Sequence, residues 1–346
     1  MSREVSVGEL KIGGKNKIAV QTMCNVKTSK IADVVRQIEG FYDLGCDLVR
    51  VSVKDDEDAL AIREIKNRIR IPLVADIHFN YRYAIAAIEG GADKIRINPG
   101  NIGSEENVRK VAEALKERKV AVRVGSNSGS VEKELLAKYG KNEISLAECA
   151  LKNVAVLEKY GVENIVISAK ASEVPLTVRT YRYLAKKTDY PLHLGVTEAG
   201  TASMGIIKGS IGIGSLLLDG IGDTIRVSLS ADPKEEIIAA KKILRSVGLD
   251  KDFVEVISCP TCGRTEYDSI GLAVKVEKMT ANIKKPLKIA VMGCVVNGPG
   301  EAKDCDLGIA GGNGVCAFFK NGEIYKKVPF ESAEKEFLKE IEKLVE

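Results

Sequence analysis

The chain has 346 residues, of which 45% are hydrophobic, so it can form one large domain plus a small one. Charged residues make up 29% of the chain and nearly cancel to a net charge of +4, which argues against a protein that binds a nucleic-acid backbone. The longest apolar region, GIIKGSIGIGSLLLDGIG, contains Lys208 and Asp219 and is too broken to cross a bilayer. The first residues, MSREVSVGEL, do not follow the pattern of a signal peptide, and we therefore expect a cytoplasmic protein without a membrane partner.

Short β-branched runs alternate with amphipathic segments up to Ser230. The predicted strands are Lys17–Met23, Asp47–Val53, Pro72–Phe79, Asp93–Gly100, Val120–Asn127, Asn164–Ser172, Pro191–Gly200 and Asp223–Ser230. The segments between them, such as IADVVRQIEGFYDLG and SEENVRKVAEALKER, place apolar residues at helical spacing. Strands that alternate with helices form right-handed parallel crossovers, so eight such units predict a TIM-type (β/α)8 barrel, with a doubly wound open sheet as the rival fold.

The pattern changes after one more helix, which is predicted to follow Ala231-Asp232-Pro233 and to run to about Val247. A cysteine loop, SCPTCG, and a further helix follow, and then a buried strand over Leu287–Cys294. Asn321-Gly322 is a strong signal for a two-residue hairpin turn. A final amphipathic helix is predicted to bury Phe337, Leu338, Ile341, Leu344 and Val345. We therefore predict a substrate-binding barrel over residues 1–248 and a small α+β domain over residues 249–346.

Polar side chains collect where the predicted barrel strands end, which is where TIM barrels place their active sites. Five cations are predicted to converge there, namely Arg50, Arg96, Arg123, Lys170 and Arg226. Pairing with rim acids is one explanation, but only Asp76 and Glu198 occupy corresponding positions. Because unpaired cations repel one another and arginine suits bidentate phosphate contacts, the pattern favours a small substrate with more than one phosphate charge.

The acid Glu198 and the two histidines have less certain roles at this rim. Among cations, the Glu198 carboxylate either holds arginines in place or relays a proton. His78 lies near a strand end and can reach the site, whereas His193 comes early in its strand, where a buried structural role fits better.

Three of the eight cysteines, Cys259, Cys262 and Cys294, have the pattern of a metal site. In a cytoplasmic chain cysteines indicate metal binding or packing rather than disulfides. A zinc site requires a fourth ligand, which Cys305 or Cys316 could provide. An iron–sulfur cluster can instead be held by three cysteines and a non-thiolate ligand. The cysteine pattern is therefore compatible with either zinc or an iron–sulfur cluster.

Nine sequence stretches together resemble one enzyme family. They are VRVSV, VADIHF, RINPGNIG, VRVGSNSGS, KAS, HLGVTEAG, GIGDTIRVSL, CPTCGR and GCVVNGPGEA. From about Val7 to the C-terminal hairpin, the chain is similar to the 4-hydroxy-3-methylbut-2-enyl diphosphate synthases of the non-mevalonate isoprenoid pathway. The resemblance implies a TIM-type barrel followed by an iron–sulfur domain.

The resemblance also implies the reaction and the residues that carry it. The family opens 2-C-methyl-D-erythritol 2,4-cyclodiphosphate by a two-electron reduction with loss of water, and its electrons come from a ferredoxin or flavodoxin. A [4Fe–4S] cluster would be held by Cys259, Cys262, Cys294 and Glu301. Glu198 would take the acid/base role, and Asn297 would lie next to the cluster. The implied substrate contacts are Arg50, Asp76, Arg96, Arg123, Asn127, Lys170, Arg226 and Ser228.

The resemblance further implies a homodimer in which one chain's cluster closes the partner's barrel, so that the active site lies between chains.

Two other classes of protein also fit parts of the pattern. A phosphate-binding TIM-barrel transferase or aldolase with a structural zinc domain would account for both the rim and the cysteines. A non-catalytic iron–sulfur carrier would leave the rim cations unexplained.

Overall fold

The computed structural model describes residues 1–295, 300 and 302–346. They form two compact units, Met1–Leu249 and Asp250–Glu346. In the described part of the chain, no helix combines the length and the apolar character needed to cross a membrane.

The first unit contains an eight-stranded parallel sheet. Its strands are β3 (Ala19–Met23), β4 (Leu48–Ser52), β5 (Leu73–Asp76), β6 (Lys94–Ile97), β7 (Ala121–Asn127), β8 (Ile165–Lys170), β9 (His193–Leu194) and β10 (Thr224–Ile225). Their order is β8-β7-β6-β5-β4-β3-β10-β9. A parallel bridge between Ile167 and Leu192 joins the two outer strands, so the sheet is nearly closed. The predicted TIM-type barrel is confirmed, and the open doubly wound sheet is wrong.

The last two barrel strands are much shorter than the predicted runs. β9 and β10 have two residues each, although the runs Pro191–Gly200 and Asp223–Ser230 read as strands. The Arg226 N–H donates to the Leu194 carbonyl at 3.1 Å, and the regular ladder ends there. Beyond that point the chain forms the loops that carry polar rim side chains, and the β-branched residues of these loops mimic a strand in the sequence.

Nine helices described in the first unit surround the barrel. They are α1 (Ile31–Asp43), α2 (Asp56–Lys66), α3 (Tyr81–Glu89), α4 (Glu105–Arg118), α5 (Lys133–Tyr139), α6 (Glu143–Glu158), α7 (Val174–Leu184), α8 (Ala202–Leu218) and α9 (Pro233–Ser246). Their apolar stripes are buried against the strands, as Val34, Ile38 and Phe41 of α1 show. Helix α9 begins at Pro233 directly after Asp232, whose carboxylate accepts from the Lys234 N–H, and this cap fixes the start of the helix.

A short N-terminal hairpin was not predicted from the sequence. Its strands, β1 (Val5–Val7) and β2 (Leu10–Ile12), are antiparallel. Val5, Val7 and Ile12 are buried in one cluster with residues near the N-terminal ends of the barrel strands, among them Leu48 and Val166. The hairpin therefore covers the end of the barrel opposite to the polar rim.

The second unit is a mixed sheet with helices. Its elements are β11 (Val254–Ser258), α10 (Ser269–Thr280), β12 (Leu287–Met292), β13 (Leu307–Gly312), β14 (Val315–Lys320), β15 (Glu323–Pro329) and α11 (Phe330–Val345). The strands lie in the order β11-β12-β13-β14-β15, and the first three are mutually parallel. Asn321 and Gly322 both have positive φ, 49° and 79°, as a primed hairpin turn requires.

The predicted apolar face of helix α11 is fully buried at two of its five residues and partly buried at the other three. Phe337 and Ile341 are fully buried, and the Phe337 ring meets Phe318 edge to face with centroids 5.4 Å apart. Leu338, Leu344 and Val345 are only partly buried against the same core. The predicted α+β architecture of this unit is confirmed.

Candidate active site and cysteine site

The five predicted cations lie on, or directly after, five barrel strands, although Arg123 is only the third of the seven residues of β7. Arg50, Arg96, Arg123 and Lys170 belong to β4, β6, β7 and β8, and Arg226 directly follows β10. The residues that flank Arg50, Val49 and Val51, pack into the core between barrel and helices, so Arg50 points the other way, into the barrel. The structure therefore brings the cations together at one end of the barrel, but it divides them into two groups.

The first group is held by carboxylates, and Asp76 holds two of its members. Its Oδ2 is 3.5 Å from Nε of Arg50, and its Oδ1 accepts from Nη1 of Arg96 at 3.2 Å. Burial acts to raise the pKa of Asp76, but the charges of Arg50 and Arg96 outweigh it and hold this pKa below its usual value. For the cation Arg50, burial has the opposite effect and lowers the pKa to about 10. Asp76 is therefore an ionised carboxylate that orders two arginines.

Arg226 is held by Glu236, a residue that sequence reasoning missed. Nε and Nη2 of Arg226 donate to Oε2 and Oε1 of Glu236, both at 3.1 Å. Glu236 lies on α9 rather than at a strand end, so a search of strand-end positions, which found Asp76 and Glu198, does not include it. The only signal in the sequence is the acidic pair after Asp232-Pro233, which also reads as an ordinary charged first turn of a helix.

Arg123 and Lys170 form the second group, which we call the unpaired cations because no described carboxylate pairs with them. Arg123 donates from Nη1 to Oγ of Ser168 at 2.6 Å, but its buried Nε and Nη2 have no partner among the described residues. Burial lowers the pKa of Arg123, and the charges of Arg50 and Arg96 lower it further. Burial and then the charge of Arg123 also lower the pKa of Lys170. Two buried cations without a counter-charge are costly unless an anion binds between them.

Two glycines leave room for these cationic side chains. A Cβ on Gly195 would lie 2.5 Å from Nζ of Lys170 and 2.7 Å from the Arg226 carbonyl oxygen. A Cβ on Gly125 would lie 3.0 Å from Nε of Arg96. The glycine at position 195 is therefore required by close approach, because any side chain there would displace Lys170.

A second polar layer lies inside the barrel, below the rim. Lys94 and Gln21 are buried, and neither Nζ of Lys94 nor the amide atoms of Gln21 have a partner in the described part of the chain. Burial lowers the pKa of Lys94 well below its ordinary value, with Arg123 and Arg50 acting in the same direction. His193 is also fully buried, as its early position in the strand suggested, and its Nδ1 lies 3.4 Å from Oγ1 of Thr224. Burial and then Lys170 lower the pKa of His193, so its ring is neutral.

The remaining predicted barrel residues lie around the rim. His78 is half exposed, with Nδ1 3.2 Å from Nη1 of Arg96 and Nε2 3.9 Å from Oδ2 of Asp76. Asn127 ends β7, and Ser228 follows β10 in a half-buried position. Glu198 is exposed, has a left-handed backbone with φ of 52°, and makes no ion pair with any described residue. A non-glycine residue in this region is strained, which is common at functional sites.

The three predicted metal-binding cysteines lie in loops at one edge of the second sheet. Cys259 follows β11 and Cys294 follows β12, and these neighbouring strands pair in parallel up to Ser258 and Val291. The Gly293 N–H donates to Sγ of Cys259 at 3.1 Å, and Cys262 is exposed. A hydrogen bond to Cys294 raises the pKa of the nearby Arg264.

No three His, Cys, Asp or Glu side chains form a group that could hold a metal ion, as far as residues 1–295, 300 and 302–346 show. The predicted ligand Glu301 and the predicted neighbour Asn297 lie outside the described residues.

The other five cysteines are buried. They are Cys24, Cys46, Cys149, Cys305 and Cys316. Burial raises the pKa of Cys24 and Cys46 to about 12 and that of Cys316 to about 11, and it also raises the pKa of Cys305. Thiols that resist ionisation in a core are poor metal ligands, so the structure does not favour Cys305 or Cys316 as the fourth ligand of a zinc site.

The fold and these sites define a TIM-barrel protein with a cationic rim at its strand ends and a second unit with accessible thiols. Two family models match the chain, the GcpE TIM-barrel domain over residues 2–241 and the GcpE protein C-terminal domain over residues 255–343. The chain therefore belongs to the GcpE family.

Curated relatives match over the whole chain. A protein of Caldanaerobacter subterraneus subsp. tengcongensis named 4-hydroxy-3-methylbut-2-en-1-yl diphosphate synthase (flavodoxin) is 58% identical and covers 100% of this chain and 98% of its own length. Proteins of the same name from Fusobacterium nucleatum subsp. nucleatum and Clostridium perfringens are each 53% identical, with 99% of this chain and 96% and 98% of their own lengths covered. The resemblance to this family is confirmed.

Two solved structures with a similar fold are dihydropteroate synthases. Dihydropteroate synthase from Stenotrophomonas maltophilia aligns with a TM-score of 0.53 at 16% identity over 71% of this chain and 98% of its own. The Yersinia pestis enzyme aligns with a TM-score of 0.52 at 12% identity over 71% of this chain and 99% of its own. At this identity the likeness shows the barrel fold alone.

Proposed function

We propose that this chain catalyses the reductive ring opening of 2-C-methyl-D-erythritol 2,4-cyclodiphosphate, with loss of water, to 4-hydroxy-3-methylbut-2-enyl diphosphate. Relatives at 50–58% identity that carry the synthase name support the reaction. The observation in the structure that carries the proposal is Arg123, a buried guanidinium with two nitrogens that lack a partner among the described residues. The transferase or aldolase alternative has no such support from the relatives.

The division of the rim cations suggests how a cyclic diphosphate would bind. Five cations against two carboxylates, Asp76 and Glu236, leave an excess of three positive charges. Arg123 and Lys170, the unpaired cations, would contact the phosphates first, since they gain the most from an incoming anion. The carboxylate-held Arg50, Arg96 and Arg226 would add contacts of fixed direction.

Neutral and acidic groups around the rim would complete the substrate site. Asn127 and Ser228 would provide uncharged hydrogen bonds. Glu198 is exposed and no described cation engages it, and we propose it for the acid/base role at the departing hydroxyl oxygen.

The cysteine loops fit a [4Fe–4S] cluster in their donor chemistry. Cys259, Cys262 and Cys294 are the accessible thiols, they leave one sheet edge, and a backbone N–H already points at one sulfur. We propose these three thiols and Glu301 as its ligands, with Asn297 beside it. When bound, such a cluster supplies electrons and a Lewis-acidic iron. The proposed functional domains remain 1–248 for substrate binding and 249–346 for the cluster.

Two kinds of partner follow from this function. The relatives' names specify flavodoxin, which we propose as the electron donor, with ferredoxin as the alternative. We also propose a homodimer in which one chain's cluster closes the partner's barrel. An exposed apolar stripe on α8, formed by Met204, Ile207 and Ile211, supports a protein contact on this helix.

Anaerobic reconstitution tests the proposed function directly. The purified chain is expected to bind about four irons and four sulfides, and with reduced flavodoxin it should convert the cyclodiphosphate to the linear diphosphate, followed by mass spectrometry. Zinc in the cysteine loops together with no conversion would instead support a barrel transferase or aldolase with a structural zinc domain.

A further inference from the structure

The Glu236 carboxylate is buried and accepts four hydrogen bonds. Two come from Arg226, at 3.1 Å each. The others come from Oγ1 of Thr22 at 2.8 Å and from the Leu229 N–H at 3.1 Å. Glu236 is only 3% exposed, so these donors surround it and leave no face for a ligand. It therefore does not contact substrate itself.

The geometry of the pair determines what Arg226 can do. The guanidinium meets the carboxylate side-on, with Nε and Nη2 bound to separate oxygens, so the plane of the fork is set by both bonds. The remaining nitrogen, Nη1, has a thioether as its neighbour, with Sδ of Met23 at 3.8 Å. A thioether is a weak acceptor, so this edge of the guanidinium stays available for an anion.

Arg226 belongs electrostatically to the cation group at the rim. The guanidinium of Arg50 lies against the same thioether, with Nε and Nη2 at 3.1 and 3.0 Å from Sδ of Met23. The charge of Arg226 also contributes to lowering the pKa of both Arg50 and Lys170. An arginine that is ordered before the ligand arrives does not lose its side-chain freedom upon binding. By ordering Arg226, the Glu236 carboxylate on α9 therefore affects anion binding at the rim, although it does not contact the anion itself.

We propose that Glu236 is a positioning residue for anion binding, which acts on the substrate through Arg226 by holding the guanidinium in one orientation. This inference rests on the proposed function, because it takes Arg226 as part of the cyclodiphosphate site. The ordering that Glu236 provides corresponds to about a 3- to 10-fold gain in affinity.

Two other roles for Glu236 make different predictions. If only its negative charge mattered, Glu236→Gln would tighten anion binding and Glu236→Asp would leave it unchanged. If it served only to join α9 to β3, then Thr22→Val, which removes one of the four bonds without touching Arg226, would weaken binding as well. The positioning role predicts weaker binding for Glu236→Asp, which keeps the charge but is one methylene too short, and no change for Thr22→Val.

A double-mutant cycle tests the inference. The dissociation constant of the cyclodiphosphate is measured by calorimetry on the oxidised holoenzyme without a reductant, so that no turnover occurs. Glu236→Asp should raise this constant about 3- to 10-fold in the wild-type background and leave it unchanged in the Arg226→Met background. Equal effects in the two backgrounds would overturn the positioning role while leaving the proposed function intact.

The remaining outcomes are also decisive. No binding of the cyclodiphosphate to the wild-type holoenzyme would overturn the proposed function and this inference together. Circular dichroism and melting curves check that each variant folds. If Glu236→Asp does not fold, the cycle is repeated with Glu236→Gln, whose effect must likewise differ between the two backgrounds, and additive effects there would overturn the inference.

Discussion

The barrel rim and the cysteine loops differ in what surrounds their functional side chains in the described part of the chain. At the rim, Asp76 and Glu236 hold three arginines, and glycine leaves the space for Lys170. In the second unit, Cys262 is exposed, and the described side chains do not assemble a metal-binding group. An anion site can be formed in advance by carboxylates that order its cations, whereas the binding energy of a metal centre is itself part of folding.

The largest effect is expected in the cysteine loops. Replacing Cys294 by serine should remove the iron and reduce turnover to background, because a harder oxygen ligand replaces a thiolate in a set of only three. Iron and sulfide analysis after anaerobic reconstitution measures this. Cys305→Ala is the matched control, since Cys305 is buried in the core of the same unit and should leave the iron content unchanged. Full iron retention in Cys294→Ser would exclude Cys294 as a ligand.

The next largest effect is expected for Arg123, one of the two unpaired cations at the rim. Arg123→Met should weaken cyclodiphosphate binding by about 1.5–3 kcal/mol, the usual value of a hydrogen bond to a charged group. The fold should tolerate the change, because it removes a buried charge that has no described counter-charge. Calorimetric titration measures the binding, and Arg109→Met on the exposed surface of α4 serves as the control. An unchanged dissociation constant would remove Arg123 from the substrate site.

A smaller effect tests the space around Lys170. Gly195→Ala should lower the free energy of unfolding by about 1–3 kcal/mol, because the new Cβ overlaps Nζ of Lys170 and the Arg226 carbonyl. The same overlap should weaken anion binding. Urea unfolding and calorimetry measure the two effects. Gly129→Ala, at a glycine with nothing within 4 Å of the added Cβ, should be neutral, and equal results for the two variants would contradict the close packing at position 195.

The smallest effect is expected for Lys94, in the polar layer below the rim, and it changes gradually with pH. The pKa of Lys94 is lowered in the folded protein, so between that value and the ordinary value of 10.5 the unfolded chain binds a proton that the folded chain does not. Stability of the wild type should therefore rise with pH across this window, by up to about 1.4 kcal/mol per pH unit from this residue. Lys94→Met removes this dependence and should be more stable than the wild type, with a gain that shrinks towards pH 10.5.

Urea unfolding at several pH values from 7 to 10 measures the Lys94 effect. The control is Lys133→Met, at an exposed lysine on α5 that should not change the pH dependence. A stability difference between the wild type and Lys94→Met that stays constant with pH would show that Lys94 remains charged in the folded protein.

The barrel and the rim cations could be predicted from the sequence because their signals are local. A β-branched run with polar residues at its end specifies both a strand and the position of its last side chains, and parallel strands bring those ends together. Arg50, Arg96, Arg123, Lys170 and Arg226 were found in this way. The predicted strands at β9 and β10 were too long, because the local sequence pattern does not show where the hydrogen bonding between strands stops.

Residues that act across the fold could not be found from such patterns. Glu236 reads as part of an ordinary first helical turn, and only the packing of α9 beside β3 and β10 brings its carboxylate to Arg226. Similarly, only the arrangement of the side chains around the barrel axis shows that Nζ of Lys94 has no hydrogen-bond partner among the described residues.

The sequence by itself determined the alternation of strands and helices in the barrel, the five rim cations, the three cysteines of the second unit and, through its motifs, the family. The tertiary structure decided which cations have a carboxylate partner and which do not, and it placed the N-terminal hairpin over the far end of the barrel. The physical reason is that secondary structure and strand-end position depend on neighbours along the chain. The charge balance of a buried side chain depends instead on groups that are distant in sequence and come together only upon folding.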